Sequence, residues 1–479
     1  MAQKGAFGVR MRAARRRPAT AAEQAAPPRQ QLASEHAPSQ AQVLAVARRI
    51  EEAMPARSRA PGARLDDLLM RLAASDAEQR RALLRFVDVR PALSSRRELG
   101  QHLAALLGEA APASVAGRLA ARLARIPLTR PTAAAAAGLG VQRLAHRFIV
   151  GAGVQAALPA LATLWRQGAG SSLDLLGEES VSEAEADAYA QRCMAALEAL
   201  AAGARALPAQ APLERDSLGE LPRANLSVKV TALTPQIHPE APQRGIEDAL
   251  GRLRAILRRA HELGAHVHVD MESLDSRETV LGLVLELLAE PEFAQGPSAG
   301  LVLQAYLRDS PQELEQVLAW VDALDRSPPL TIRLVKGAYW DHEVVEARQH
   351  GWEVPVFERR ADCDRNFEAL TRRLLAAHPR VRLALGSHNL RSIAHGIACV
   401  PRFGLSESDI EVQVLRGLGD DLATALARAG VRVRVYCPVG DLVQGMAYLV
   451  RRMLENTAND SFLQARARGE PLHKLVAEP

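Results

Sequence analysis

What most constrains this chain is a rhythm that starts near residue 170 and repeats eight times. Short β-rich runs at 172–177, 226–232, 266–271, 300–306, 330–335, 381–386, 410–415 and 431–436 each give way to a helical pattern or a loop and helix. Strands separated by helices become parallel neighbours, because only a parallel pair needs so long a crossover. Eight such units predict a closed (β/α)8 TIM-type barrel over residues 170–465.

The strands also carry a period-two message. Ser227, Lys229 and Thr231 share one face and Leu226, Val228 and Val230 the other; His266, His268 and Asp270 oppose Val267 and Val269; Arg432, Arg434 and Tyr436 oppose Val431, Val433 and Val435. In a barrel the outer face lies under helices, so the polar set is expected inside. Such an interior is too polar to be core alone, and barrel enzymes keep their chemistry at the C-terminal ends of the strands. Lys229, Asp270, Arg333 and Tyr436 fall there, and Lys229 and Asp270, on adjacent strands, are placed to pair. Beyond the last strand, Tyr448, Arg451, Arg452 and Glu455 recur at i, i+3, i+4 and i+7, one face of a helix. An arginine pair is often a solvated face, but the polar strand that leads into this helix favours a clamp on a carboxylate or phosphate. The positive mouth predicts an anionic substrate or cofactor.

Upstream, residues 41–165 read as a helical region, with apolar residues at three- and four-residue spacing and prolines at the ends. Residues 1–40 form a basic leader, with Arg10, Arg12, Arg15, Arg16 and Arg17, expected to be disordered. It also has the composition of a transit peptide or a nucleic-acid-binding arm, although the Ala/Arg bias of the whole chain explains it more simply. Residues 466–479 form a C-terminal tail. Of 479 residues, 48% are hydrophobic and 24% charged, as in ordinary globular proteins, and no apolar run reaches the roughly 18 residues of a membrane span. The four cysteines lack CxxC spacing, which excludes zinc-ribbon and redox motifs and fits a reducing, cytoplasmic setting.

Three motifs compete with the barrel-mouth reading. Gly151-Ala-Gly153-Val-Gln-Ala156 matches a dinucleotide fingerprint, but it lies in a helical region and Pro159 is expected to interrupt the helix after it. His266-Val-His268 resembles the paired histidines of metal-dependent barrel hydrolases, with His388 as the natural further ligand. Ser387-His388-Asn389 lacks the sharp turn of a nucleophile elbow.

The residues at these strand ends resemble those of the proline dehydrogenases, in particular the proline dehydrogenase region of the bacterial bifunctional proline utilization A proteins. The resemblance is carried by LDLLGE at 173–178, LSVKVTAL at 226–233, VDME at 269–272, LQAYL at 303–307, IRLVKGAYW at 332–340, SHN at 387–389, VYCPVG at 435–440 and YLVRR at 448–452 through Glu455 and Asn456. It implies FAD-dependent oxidation of L-proline to 1-pyrroline-5-carboxylate, the first step of proline catabolism, with electrons passed to a membrane quinone. By the same resemblance Asp270, Arg333 and Lys229 would be catalytic, with Asp270 supporting Lys229 from beneath. Lys229, Arg451 and Arg452 would hold the proline carboxylate, Tyr436, Tyr448 and Leu415 would pack on its ring, and Glu178 would gate the site with Arg451. Arg333 would lie at the flavin N5 edge. Gln304, Val335, Lys336, Gly337, Tyr339, Trp340, Ser387, His388, Asn389, Gln413, Glu455, Ser461 and Phe462 would surround the rest of FAD, and no metal is expected.

The chain departs from the bifunctional pattern in stopping near where a linker to an aldehyde dehydrogenase domain would begin, which leaves open a separate 1-pyrroline-5-carboxylate dehydrogenase partner or a domain trimmed from this sequence. Ser387 stands where threonine is common and keeps the hydroxyl. No ribbon-helix-helix pattern precedes residue 40, and no nucleic-acid partner is expected. The placement expected is cytoplasmic, peripheral at the inner membrane surface. The alternatives are a metal-dependent barrel hydrolase using His266 and His268 and a nucleic-acid-binding regulator using the leader.

Overall fold

The computed structural model describes residues 36–56, 145–177, 179–441 and 470–479, with scattered positions between 85 and 139 and at 445 and 448. Eight parallel strands close a barrel in chain order: β1 (Ala169–Leu175), β2 (Asn225–Val228), β3 (His266–Val269), β4 (Ser298–Gln304), β5 (Leu330–Val335), β6 (Val381–Gly386), β7 (Ile410–Leu415) and β8 (Val433–Val439). β8 returns to β1 through seven register pairs, from Ala169 opposite Val433 to Leu175 opposite Val439. The (β/α)8 expectation holds.

The outward residues of the strands, among them Leu226, Val228, Val267, Ile332, Leu334, Leu383, Leu385, Val433 and Val435, are buried under the crossover helices. These include α3 (Glu183–Arg205), α4 (Pro242–Leu263), α5 (Leu274–Leu288), α6 (Ser310–Asp322), α7 (Trp340–His350), α8 (Arg360–Leu375), α9 (Leu390–Cys399) and α10 (Asp420–Arg428). Helix α4 shows how such a cover is encoded. Ile246, Ala249, Leu253, Ile256, Leu257 and Ala260 make one apolar stripe against the sheet, and Gly264, left-handed at φ 62°, ends the helix. Burial of this face supplies the main drive for the barrel to form. Upstream, α1 (Gln40–Glu52) starts at a Ser39/Gln42 capping box and packs on α9, and α2 (Val154–Arg166) precedes β1.

Several boundaries differ from expectation. β1 starts three residues early, because Ala169, Gly170 and Ser171 are too small to read as strand; a Cβ on Gly170 would lie 3.2 Å from Arg434 Nη1. β2 stops at Val228. Lys229 is still extended, but Val230–Ala232 curls into a 3-10 turn, so Thr231 leaves the strand face and donates to Glu272 instead. β8 continues to Val439, where Gly151 bridges to it in parallel. The Gly151–Ala156 segment thus caps the end of a barrel strand, and Pro159 lies inside α2 without breaking it, with the Thr163 hydroxyl donating to its carbonyl at 2.9 Å. A short hairpin of two two-residue strands, Arg215–Asp216 with Gly219–Glu220, sits between α3 and β2. Residues 1–35 of the basic leader and most of 57–144 lie outside the described residues, as do 442–444 and 449–469.

Gly300 in β4 shows how tightly the interior is filled. A Cβ there would meet the His268 ring and come within 2.7 Å of the Thr331 carbonyl oxygen. Gly300→Ala should therefore lower unfolding stability by about 1–3 kcal/mol, seen as a lower denaturant midpoint at constant m-value. An unchanged midpoint would mean the barrel relaxes freely at this layer.

Candidate active site

The inward faces of the strands build a column of charges through the barrel. At one end Asp216, from the hairpin, accepts two bonds from Arg382 on β6, at 2.8 and 3.1 Å, and lies 3.8 Å from Arg432. In the next layer Glu411 on β7 accepts from Arg434 on β8 at 2.8 and 3.0 Å and from Gln413 at 2.7 Å. Burial alone would raise the Glu411 pKa, but the Arg434 and Arg432 charges and these bonds overrule it and hold the carboxyl down at about 2.

Above this layer Asp270 gathers the mouth together. Its Oδ1 accepts from Ser227 at 2.8 Å and from Arg333 Nη1 at 2.6 Å, and its Oδ2 accepts from the Tyr436 hydroxyl at 2.6 Å. Arg333 is fixed further by its Nε bond to Gln413 Oε1, 2.6 Å, and its guanidinium lies 5.4 Å from the Tyr436 ring centroid. Burial, then Asp174 and Asp270, push the Tyr436 pKa up, so its O–H is a donor.

Lys229 departs from the expected arrangement in part. Asp270 Oδ2 stands 3.8 Å from its ammonium, but the direct partner is Asp174 on β1. Burial would strip the Lys229 charge, yet Asp174, Asp270 and Glu272 outweigh it and raise the pKa. Asp174 was missed as a site residue. Its alternation with Ser172 on β1 and its register opposite Ser227 were the available signal.

The residues expected around a flat cofactor line the rim. Val335 ends β5 and Lys336, Gly337 and Tyr339 follow it, Ser387, His388 and Asn389 follow β6, and Leu415 ends β7; all are half-buried except Ser387, which is buried. Gly337 has φ +128°, and a Cβ there would collide with the Tyr306 ring, so only glycine passes this corner. His388 Nε2 accepts the Leu415 N–H at 2.9 Å, and Asn389 caps α9 through Ser392. Gln304 donates to the Glu272 carbonyl at 2.9 Å, Lys336 pairs with Asp364, and Trp340 donates to the Phe357 carbonyl at 2.9 Å. Tyr448 is buried. Arg451, Arg452, Glu455, Ser461, Phe462 and Glu178 lie outside the described residues.

A flavin fits these groups. Arg333 Nη2 is buried without a hydrogen-bond partner, which leaves a cationic NH2 group to serve an electron-rich ring edge. Half-buried apolar and aromatic side chains beside it suit a planar ring. The histidine pair does not suit a metal. His268 Nε2 lies 3.1 Å from the Leu301 carbonyl, which can only accept, so that nitrogen carries the proton. The neutral His268 Nδ1 then accepts from His266 Nε2 at 3.2 Å, and His266 Nδ1 takes the Ser298 hydroxyl at 2.8 Å. All four ring nitrogens are engaged.

The family model described as Proline dehydrogenase matches residues 157–465, and that described as Proline utilization A N-terminal domain matches 40–148. Bifunctional protein PutA of Escherichia coli (strain K12) is 31% identical over 353 residues, 71% of this chain and 25% of that protein. Proline dehydrogenase 1 of Bacillus subtilis (strain 168) is 29% identical over 325 residues, 68% of this chain and 90% of that protein. The crystal structure of proline utilization A from Bdellovibrio bacteriovorus inactivated by N-propargylglycine superposes with a TM-score of 0.81 at 33% identity, covering 92% of this chain and 44% of that one. The chain thus spans about a quarter of the length of the bifunctional relatives it matches.

Acid should destabilise the barrel over two overlapping pH windows. Burial first, then the Arg434 charge, drives the His266 pKa from 6.5 down to about 3. Its contribution is complete above 6.5 and is lost as pH falls toward 3, whereas that of Glu411 is complete above 4.5 and is lost toward 2. Between pH 6.5 and 4.5, His266→Gln should lose stability less steeply than wild type, by up to about 1.4 kcal/mol per pH unit, in denaturant melts. Equal slopes there would mean that His266 titrates normally.

Proposed function

The chain belongs to the proline dehydrogenase family, and from that premise we propose that it oxidises L-proline to 1-pyrroline-5-carboxylate with FAD and passes the electrons to a quinone. The observation that carries this reading is the Asp270–Arg333–Tyr436 cluster at the barrel mouth, with the unpartnered Arg333 Nη2. FAD, when bound, supplies the hydride acceptor. Gln304, Arg333, Val335, Lys336, Gly337, Tyr339, Trp340, Ser387, His388, Asn389 and Gln413 would hold it, with Glu455, Ser461 and Phe462 from the C-terminal segment.

The chain's own side chains then have defined tasks. Lys229, kept charged by its carboxylate neighbours, attracts the proline carboxylate, and we assign Arg451 and Arg452 to the same clamp. Fixing the carboxylate orients the ring, which removes most of the entropy of reaching the reactive pose. Tyr436, Tyr448 and Leu415 cover the ring carbons and exclude water. Arg333 supplies the cation against which negative charge accumulates, held in place by Asp270 and Gln413 so that little reorganisation is needed. Glu178 would close over the site by pairing with Arg451. Peripheral contact with a membrane would give access to the quinone; among the described residues no helix is long and apolar enough to cross one. The product passes to a 1-pyrroline-5-carboxylate dehydrogenase.

The purified chain should carry a flavin absorbance band that L-proline bleaches under anaerobic conditions. A flavin that proline leaves oxidised, or a colourless protein that cannot be reconstituted with FAD, would refute the reading. In steady state, Arg452→Met should raise the KM for proline about ten- to a hundredfold, because a charge-assisted bond is worth about 1.5–3 kcal/mol. Wild-type kinetics in that variant would remove Arg452 from the substrate clamp.

A further inference from the structure

We propose that Asp275, His342 and Glu346 form a binding site for a divalent first-row transition ion such as zinc, on the barrel rim outside the active site. The three side chains each present a ligand atom, and these atoms lie within 4.8 Å of one another. The three come from two helices: Asp275 is in the first turn of α5, and His342 and Glu346 occupy i and i+4 of α7, on one face, with His342 Nε2 3.1 Å from Glu346 Oε2. The spacing between the helices is set by a third contact. Glu343, buried in the same turn of α7, accepts the Leu274 N–H at 2.9 Å, which fixes the start of α5 against the start of α7.

The donor chemistry selects the ion. One imidazole and two carboxylates suit zinc and its neighbours in the first transition row, whereas magnesium and calcium favour all-oxygen shells. Three protein ligands leave further positions for water. The carboxylates also crowd one another: burial, then Glu346, raise the Asp275 pKa against the opposing pull of His342, with Glu240 adding to the rise. A divalent ion would relieve that repulsion. Its position gives it a consequence, since the segment before α5 carries Asp270 and Glu272 and the segment before α7 carries Lys336 to Tyr339. An ion bridging α5 and α7 braces both rim segments.

The test is calorimetric titration of the full, metal-stripped chain with zinc chloride, with magnesium chloride as control. The wild type should show a saturable zinc site absent with magnesium, and His342→Ala and Asp275→Ala should each weaken it at least about tenfold. Zinc should also raise the melting temperature of the wild type more than that of either variant, since only native-state binding stabilises. Because both substituted side chains are exposed, the variants should keep the wild-type far-UV spectrum. Absence of a saturable zinc site in the wild type, or variants that bind zinc as tightly as the wild type, would overturn the proposal.

Discussion

The carboxylate of Asp270 is where the barrel's fold and its chemistry meet, since it takes bonds from Ser227 on β2, Arg333 on β5 and Tyr436 on β8, with the Lys229 ammonium just beyond hydrogen-bond reach at 3.8 Å. Each of these groups, buried alone, would cost several kcal/mol of lost hydration. Together they satisfy one another, and the bonds close only if the three strands stand at the observed register. The same carboxylate that neutralises Arg333 also aims it, leaving Nη2 unspent at the mouth.

The layers beneath repeat this logic with other residues. Arg434 with Glu411, and Arg382 with Asp216, put opposite charges in contact where hydrocarbon would be the simpler filling. Such pairs are weak evidence for stability, because well-packed apolar side chains often do as well. Their value here is continuity. Gln413 bonds both Glu411 and Arg333, so the deep layer and the mouth form one hydrogen-bonded unit, and the neutral His266–His268 chain fills the space beside it. A site built on strands and braced from below holds its geometry better than one built on loops.

Much of this was legible in the sequence because a period-two pattern has a single physical reading when helices cover the other face. Asp270, Arg434 and Tyr436 face inward as that pattern required, and Arg333, read as a charge at a strand end, joins them. The pattern failed where the chain turns: beyond Val228 the alternation of Val230 and Thr231 still looks like strand, but the backbone curls at the rim. It also missed partners supplied from afar. Asp216 lies on a short hairpin with no strand signal, and Asp174 pairs with Lys229 only because β1 and β2 lie side by side. The His266-Val-His268 spacing could have served a metal equally well; only the Leu301 carbonyl and Ser298, contributed by β4, show that the rings bond each other instead.

The coupling of Asp270 to Arg333 is tested most directly by a double-mutant cycle with Asp270→Ala, Arg333→Met and the double variant, read as the anaerobic rate of proline-driven flavin reduction. If the pair works as one unit, either single change removes most of the rate and the second adds little, with an interaction energy of about 2 kcal/mol or more. Effects that add to within about 0.5 kcal/mol would contradict the account, because Arg333 would then be positioned without Asp270.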